Sequence, residues 1–285
     1  KLCVVACVVA VPATAAAVGL GGAKEAERRI ALAAEEGMIV EDIVKAACMV
    51  HRGVDTERHA EMIRRDTRLF TEVLVGLQSG SAQLGVGPER HGSVIEELRD
   101  ARALWLPFRD RADAVLTGGP VTREMVTELA SRDAVLLDAV DALVASLQTE
   151  YGGSVVPLHV LVATRFAVRQ ETIAQQLAKG ACLISAGIEV EAMRAKTGEL
   201  IGLFETTHAA LAEGMPMLGI RAPQDPALAA QLVEVAARWQ AMRGHLAPLA
   251  GDAVPDAAAL DAMSRDTTVL VAALKEAVAL YENEL

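Results

Sequence analysis

Five apolar positions, Ile173, Leu177, Ala181, Ile184 and Ile188, step along the chain by four, four, three and four residues. That spacing lays them on one stripe of an α-helix and predicts a helix packed on that side. Ile39, Ile43, Ala47, Val50 and Val54 take the same steps much earlier. Each stripe ends beside a glycine, Gly53 or Gly187, as a helix C-terminus favours. A second helix is expected after each, to about Gln78 and Ala212. Loops containing Gly and Pro follow, "SGSAQLGVGPERHG" and "EGMPMLGIRAPQDP". A third helix carries Trp105 or Trp239. A fourth carries "LLDAVDALVASL" (Leu136–Leu147) or "VLVAALKEAVAL" (Val269–Leu280), beginning after Val121–Thr122 or Val254–Pro255. No strand alternation competes with these helices.

The two patterns share one register, a shift of 134 residues. "KAACMVHRGVDTE" (Lys45–Glu57) falls on "KGACLISAGIEVE" (Lys179–Glu191), cysteine on cysteine and glycine on glycine. "RLF" (Arg68–Phe70) falls on "GLF" (Gly202–Phe204), and Trp105 on Trp239, the two tryptophans of the chain. No gap is needed from about Glu35 to Trp105, and chance does not hold one register that long. The chain reads as a duplicated unit of about 130 residues, a usual domain size. The expected fold is all-α: two tandem up-down four-helix bundles, over residues 24–150 and 158–285. "YGGSVVP" (Tyr151–Pro157) is the linker. Because an up-down bundle returns to the end where it began, the two bundles are expected side by side.

Composition adjusts this picture in two ways. Apolar residues make up 52% of the 285 and aromatics 3%, so the cores are built from Ala, Leu, Val, Ile and Met. The net charge of −11 argues against nucleic acid, which needs a basic surface. The first 23 residues, "KLCVVACVVAVPATAAAVGLGGA", stand apart. One basic residue, an apolar run and small residues read as a signal peptide with an A-x-A site at Ala15–Ala17, and imply export. An uncleaved membrane anchor is the alternative, since about 20 apolar residues span a bilayer.

Copy two reads "TRFAVRQETIAQQLAKGACLISAGIEVEAMRAKTGELIGLFETTHAAL". It resembles the PilJ-type domain, the N-terminal domain of type IV pilus methyl-accepting chemotaxis transducers, and is similar to NarX-type sensor domains. Those domains open with a motif of the form I-N-x-A-G-R-Q-R-M-x-S-Q-x-x-A-K. Ala167, Arg169, Gln170, Gln175, Ala178 and Lys179 match it. The resemblance implies an exported, periplasmic or secreted helical sensor that binds a small molecule, pairs as a dimer across its first helices, and signals with a membrane protein. It points to Arg165, Arg169, Gln170, Glu171 and Gln175 as the candidate ligand-binding residues. In nitrate-binding members the motif's second arginine holds the anion. Here Glu171 stands in copy two and Gly37 in copy one. A glutamate repels an anion, so nitrate binding by that route is not expected.

Each candidate also has a plainer role. Arg165 and Arg169 lie four apart, where arginines often snorkel from a core edge. Gln170 and Gln175 are ordinary for a helix surface. Glu205–His208 fits the Glu-x-x-His pattern of di-iron bundles, but copy one has Thr71–Leu74 there, so no metal or other cofactor is expected. No serine, cysteine or histidine constellation suggests a nucleophile, and no enzyme is expected. Glu171, Gln175, Ala178, Cys182 and Ser185 share a second helical face, matched by Gly37, Glu41, Val44, Cys48 and His51. If the two copies pair there as an internal pseudo-dimer, Cys48 and Cys182 sit at equal heights and a disulfide is possible. Two separate buried thiols are the more ordinary expectation, because a disulfide needs Cα atoms within roughly 7 Å. The function these readings favour is a sensor-type binding module without its own output domain. The alternative is a structural or protein-interaction module whose ligand site has decayed.

Overall fold

Two helix ends show how the local sequence is written twice. At the first, Gly53 takes a left-handed conformation (φ 70°), Gly53 N donates to Val50 O, and Val54 N donates to Met49 O. At the second, Gly187 has φ 69°, Gly187 N donates to Ile184 O, and Ile188 N to Leu183 O. These are paired Schellman caps, which satisfy carbonyls that the helix leaves open. The computed structural model describes residues 14–117, 119–152 and 158–283.

Among the described residues, eight α-helices follow in the order expected: α1 (Thr14–His51), α2 (Thr56–Ser79), α3 (Gly92–Leu116), α4 (Arg123–Tyr151), α5 (Leu158–Ser185), α6 (Val190–Glu213), α7 (Pro226–Leu246) and α8 (Ala257–Asn283). Thr122 caps α4 by accepting from Met125 N, and Asp225 caps α7 by accepting from Ala227 N. Helix α1 packs on α2 and α4, and α3 on α4 and α2. The second half repeats this, with α5 on α6 and α8, and α7 on α8 and α6. The fold is an all-α helical bundle.

Each half has its own apolar core, and the two are built alike. Phe70 stacks on Trp105 with ring centroids 3.9 Å apart, and Phe204 on Trp239 at 4.0 Å. Both tryptophans are buried, each a large packing anchor. The halves meet where α1 packs along α5. There the second core takes in Cys48, Met49, Val54 and Val126 from the first half.

The loop between α2 and α3 departs from expectation. Two short strands, β1 (Gly80–Ser81) and β2 (Val86–Pro88), pair antiparallel. Gly80 makes the close approach possible: with φ 84°, a Cβ there would lie 2.8 Å from Pro88 N. Strands of two and three residues are too short to leave an alternating pattern in the sequence. Helix α1 clamps this hairpin. Glu25 Oε1 accepts from Gly87 N at 2.7 Å, and buried Arg29 donates to Glu89 Oε2 (3.1 Å), Leu77 O (3.2 Å) and Gly87 O. Tyr151 at the end of α4 donates to Glu89. The matching loop in the second half has only the bridge Met215–Ile220 around a 3₁₀ turn, Pro216–Leu218.

The expected signal peptide lies mostly on residues 1–13, outside the described residues, and its last part, from Thr14, is the start of α1. The linker expected over Tyr151–Pro157 lies outside them from residue 153. Among the described residues, no helix is long and apolar enough to cross a membrane.

Candidate functional site

Both first helices bury more than one face. From Ile39 to Met49, α1 is buried on every side, and α5 is buried or half-buried from Gln170 to Ile184. One side faces its own bundle with the apolar stripe. The other side is the α1·α5 seam, and it is polar. Buried polar groups are costly unless paired, so the pairing defines the site.

Lys45 Nζ donates to Gln175 Oε1 across the seam at 2.6 Å. Lys179 Nζ pairs with Glu41 Oε2 at 2.5 Å and with Asp133 Oδ2 of α4 at 2.6 Å. Gln176 Nε2 donates to Glu41 Oε1 at 2.9 Å, and Arg52 Nε to Ser185 Oγ at 3.1 Å. Under the 134-residue shift, Lys45 corresponds to Lys179 and Glu41 to Gln175. Each lysine therefore reaches the partner helix's counterpart of position 41. Such reciprocity is what a twofold axis imposes on like elements.

A residue on such an axis meets its own counterpart, and Cys48 meets Cys182. The two are joined in a disulfide, S–S 2.16 Å, with Cα atoms 6.0 Å apart, and both are fully buried. This overturns the expectation of two separate thiols. That expectation rested on how close a disulfide needs its two Cα atoms. The reciprocal register supplies that proximity.

The five candidate ligand residues do not converge. Gln175 lies in the seam. Gln170 is buried but turns into its own bundle, where Nε2 donates to Phe204 O (3.2 Å) and Thr207 Oγ1 (3.1 Å) of α6. Glu171 is buried, and Arg165 and Arg169 are exposed. Gly37, the counterpart of Glu171, faces α4, where a Cβ would meet Leu137 at 3.6 Å. Glu205 of the Glu-x-x-His pair accepts from Arg243 Nε at 2.5 Å. Among the described residues, no three His, Cys, Asp or Glu side chains are grouped to hold a metal. His59 Nε2 and Ser264 Oγ lie 3.0 Å apart, but both residues are fully buried, so the pair ties α2 to α8 and no substrate reaches it.

Residues that sequence reasoning passed over dominate the electrostatics. Burial lowers the Lys179 ammonium's pKa, but the carboxylates of Glu41 and Asp133 outweigh it and hold the group above the usual lysine range. Burial pushes Asp133 up against the pull of Lys179. Asp66 of α2 is raised to about 7, by burial and by the neighbouring charge of Asp42. Glu36 is fully buried, neither carboxyl oxygen has a hydrogen-bond partner, and burial raises it well above the carboxylate range. One sequence signal could have found these groups: a lysine kept in both copies on the second face of a buried helix needs a buried counter-charge.

Residues 166–265 match the family described as the type IV pili methyl-accepting chemotaxis transducer N-terminal domain, PilJ. No curated protein and no solved structure matches the chain. PilJ domains are sensor domains of chemotaxis transducers, typically periplasmic, and not a catalytic family. The match runs from within α5 through α6 and α7 to the first turns of α8, in the half that contributes Gln175, Lys179 and Cys182 to the seam, and supports one PilJ-type domain, a signalling sensor module, there.

Proposed function

We propose that the chain is an exported sensor-type module in which two PilJ-like four-helix bundles, over residues 24–150 and 158–285, pair as an internal pseudo-dimer. The α1·α5 seam takes the place of a dimer seam between separate chains. A small molecule is its ligand, and a membrane signalling protein is its partner. The observation that carries this reading is the reciprocal seam, Lys45 to Gln175 and Lys179 to Glu41, closed by Cys48–Cys182. Export supports the disulfide, because an oxidising compartment preserves it. Nitrate is not expected as the ligand, because Glu171 and Gly37 stand at the anion-holding positions.

A thermal-shift screen of small molecules tests ligand binding, since a ligand at 100 times its Kd adds about 2.7 kcal/mol of stability. A specific upward shift supports the sensor. Calorimetry with nitrate is expected to show no binding below millimolar concentration.

A second reading is a structural or interaction module with a decayed site. The dispersed candidate residues favour it, with Arg165 and Arg169 exposed and Gln170 engaged inside its own bundle. A screen without any shift would favour it further.

A further inference from the structure

Asp66 on α2 and Asp42 on α1 are both buried, and one guanidinium, that of Arg65, reaches both carboxyls, which brings the two side by side. Two carboxyl groups can share a hydrogen bond only if one carries a proton. Asp66 Oδ2 is buried and no donor reaches it, which disfavours the ionised form. Asp42 is the ionised member: burial raises it, but Lys45 brings it below its ordinary value. The proton therefore sits on Asp66.

The pair does not stand alone. Arg65 of α2 donates to Asp66 Oδ1 at 2.8 Å and to Asp42 Oδ2 at 3.4 Å, from a side chain that is more than half exposed. Asp42 is also paired with Lys45 of α1, and Lys45 spans the seam to Gln175 of α5. The groups facing the pair are thus Arg65 from α2 and Lys45 from α1, with the neutral Gln175 amide from α5. An unbroken polar chain runs from α2 through α1 to α5.

We propose that the Asp42–Asp66 pair is a proton-operated latch that couples α2 to the α1·α5 seam. With the proton in place, Asp66 donates to Asp42, and Lys45 is free to hold Gln175. Loss of the proton to solvent sets two carboxylates side by side. Lys45 is then drawn toward them and its hold on Gln175 weakens, while the exposed Arg65 is too well solvated to compensate fully. The second half has no such device, because Asp42 becomes Gln176 and Asp66 becomes Leu200.

The sign follows from linkage. The folded Asp66 holds its proton to about 7, and the unfolded one releases it near 3.8. Stability from this group is intact below the lower value and falls as pH rises through that window, with no further loss above it. Opening of the folded latch comes at the upper edge.

Asp66→Asn tests the idea, because the amide still donates to Asp42 and does not titrate. The readout is the rate at which a water-soluble phosphine reduces the buried Cys48–Cys182 disulfide. Wild type and variant are compared at each pH, so that the reductant's own chemistry cancels. The wild-type rate relative to the variant is expected to be near one at about pH 5.5, and to rise by up to about tenfold by about pH 8. A ratio that does not change with pH overturns the latch. Carbon-13 titration of the aspartate carboxyls in the wild type is independent of whether the variant folds. One titration near 7 supports the assignment, and all aspartates titrating below about pH 5 overturn it.

Discussion

The first helices of the two halves have the same shape and opposite polar chemistry. Where α1 carries Glu36, Glu41 and Asp42, α5 carries Gln170, Gln175 and Gln176. Acid and amide are nearly isosteric, so both helices pack and both stripes fill. They differ in what they demand of their neighbours. An amide brings its own donors: Gln170 finds Phe204 O and Thr207 Oγ1. The carboxyl of Glu36 cannot do the same, and the matching hydroxyl is gone, because Val73 replaces Thr207. The same packing can therefore be kept while one half collects buried acids, and those acids need lysines or protons to offset the cost of their burial.

The crosslink holds the unlike halves together, so removing it is the strongest test. Closing a loop of 134 residues is worth on the order of 5 kcal/mol in the chain-entropy account. Cys48→Ala with Cys182→Ala is expected to lose most of that, read as a lower urea midpoint.

Next, the lysines should not be equivalent. Lys179→Met strands Glu41 and Asp133 without a cation, and is expected to cost about 3–5 kcal/mol. Lys45→Met removes one ion pair, but Arg65 still reaches Asp42 and Gln175 is neutral, so about 1–3 kcal/mol is expected. Equal losses in chemical denaturation would break the comparison.

The loops sharpen it at a smaller scale. Arg29→Met leaves Glu89 buried against Tyr151, and is expected to cost about 2–3 kcal/mol and loosen the hairpin in hydrogen exchange. Met217→Ser, at a side chain 95% exposed in the unclamped loop, should change stability by less than about 0.5 kcal/mol.

The smallest effect fades as pH falls. Glu36→Gln gives the first half the second half's residue. Because the folded carboxyl is raised, the wild type loses stability as pH rises above the unfolded value near 4.5. The variant should raise the melting temperature near pH 8. Near pH 4, where both folded and unfolded wild type are protonated, it should give no gain.

Much of the fold was legible in advance because its signals are local and doubled. The stripes at Ile39 and Ile173 named the first helices, Gly53 and Gly187 their ends, and the shared register the repeat. The hairpin at Gly80–Pro88 was missed, being held by long-range contacts to Arg29 and Glu25 rather than by an alternating pattern. Of the candidate site, the second face of the first helices was readable as small and mixed. The five residues carried over by resemblance were not a cluster, because resemblance ranks positions along a helix and does not say which neighbour each one faces.

Sequence by itself determined that this chain is helical, that its apolar pattern recurs after 134 residues, and where the first two helices of each half stop, since periodicity, caps and turns act within a few residues. Tertiary structure alone decided that Cys48 would meet Cys182, that Lys179 would need Asp133, and that buried Asp66 would lie beside Asp42 under one arginine. Those facts depend on distance and burial between residues far apart in the chain, and the free energy of a charge is set by what surrounds it rather than by what precedes it.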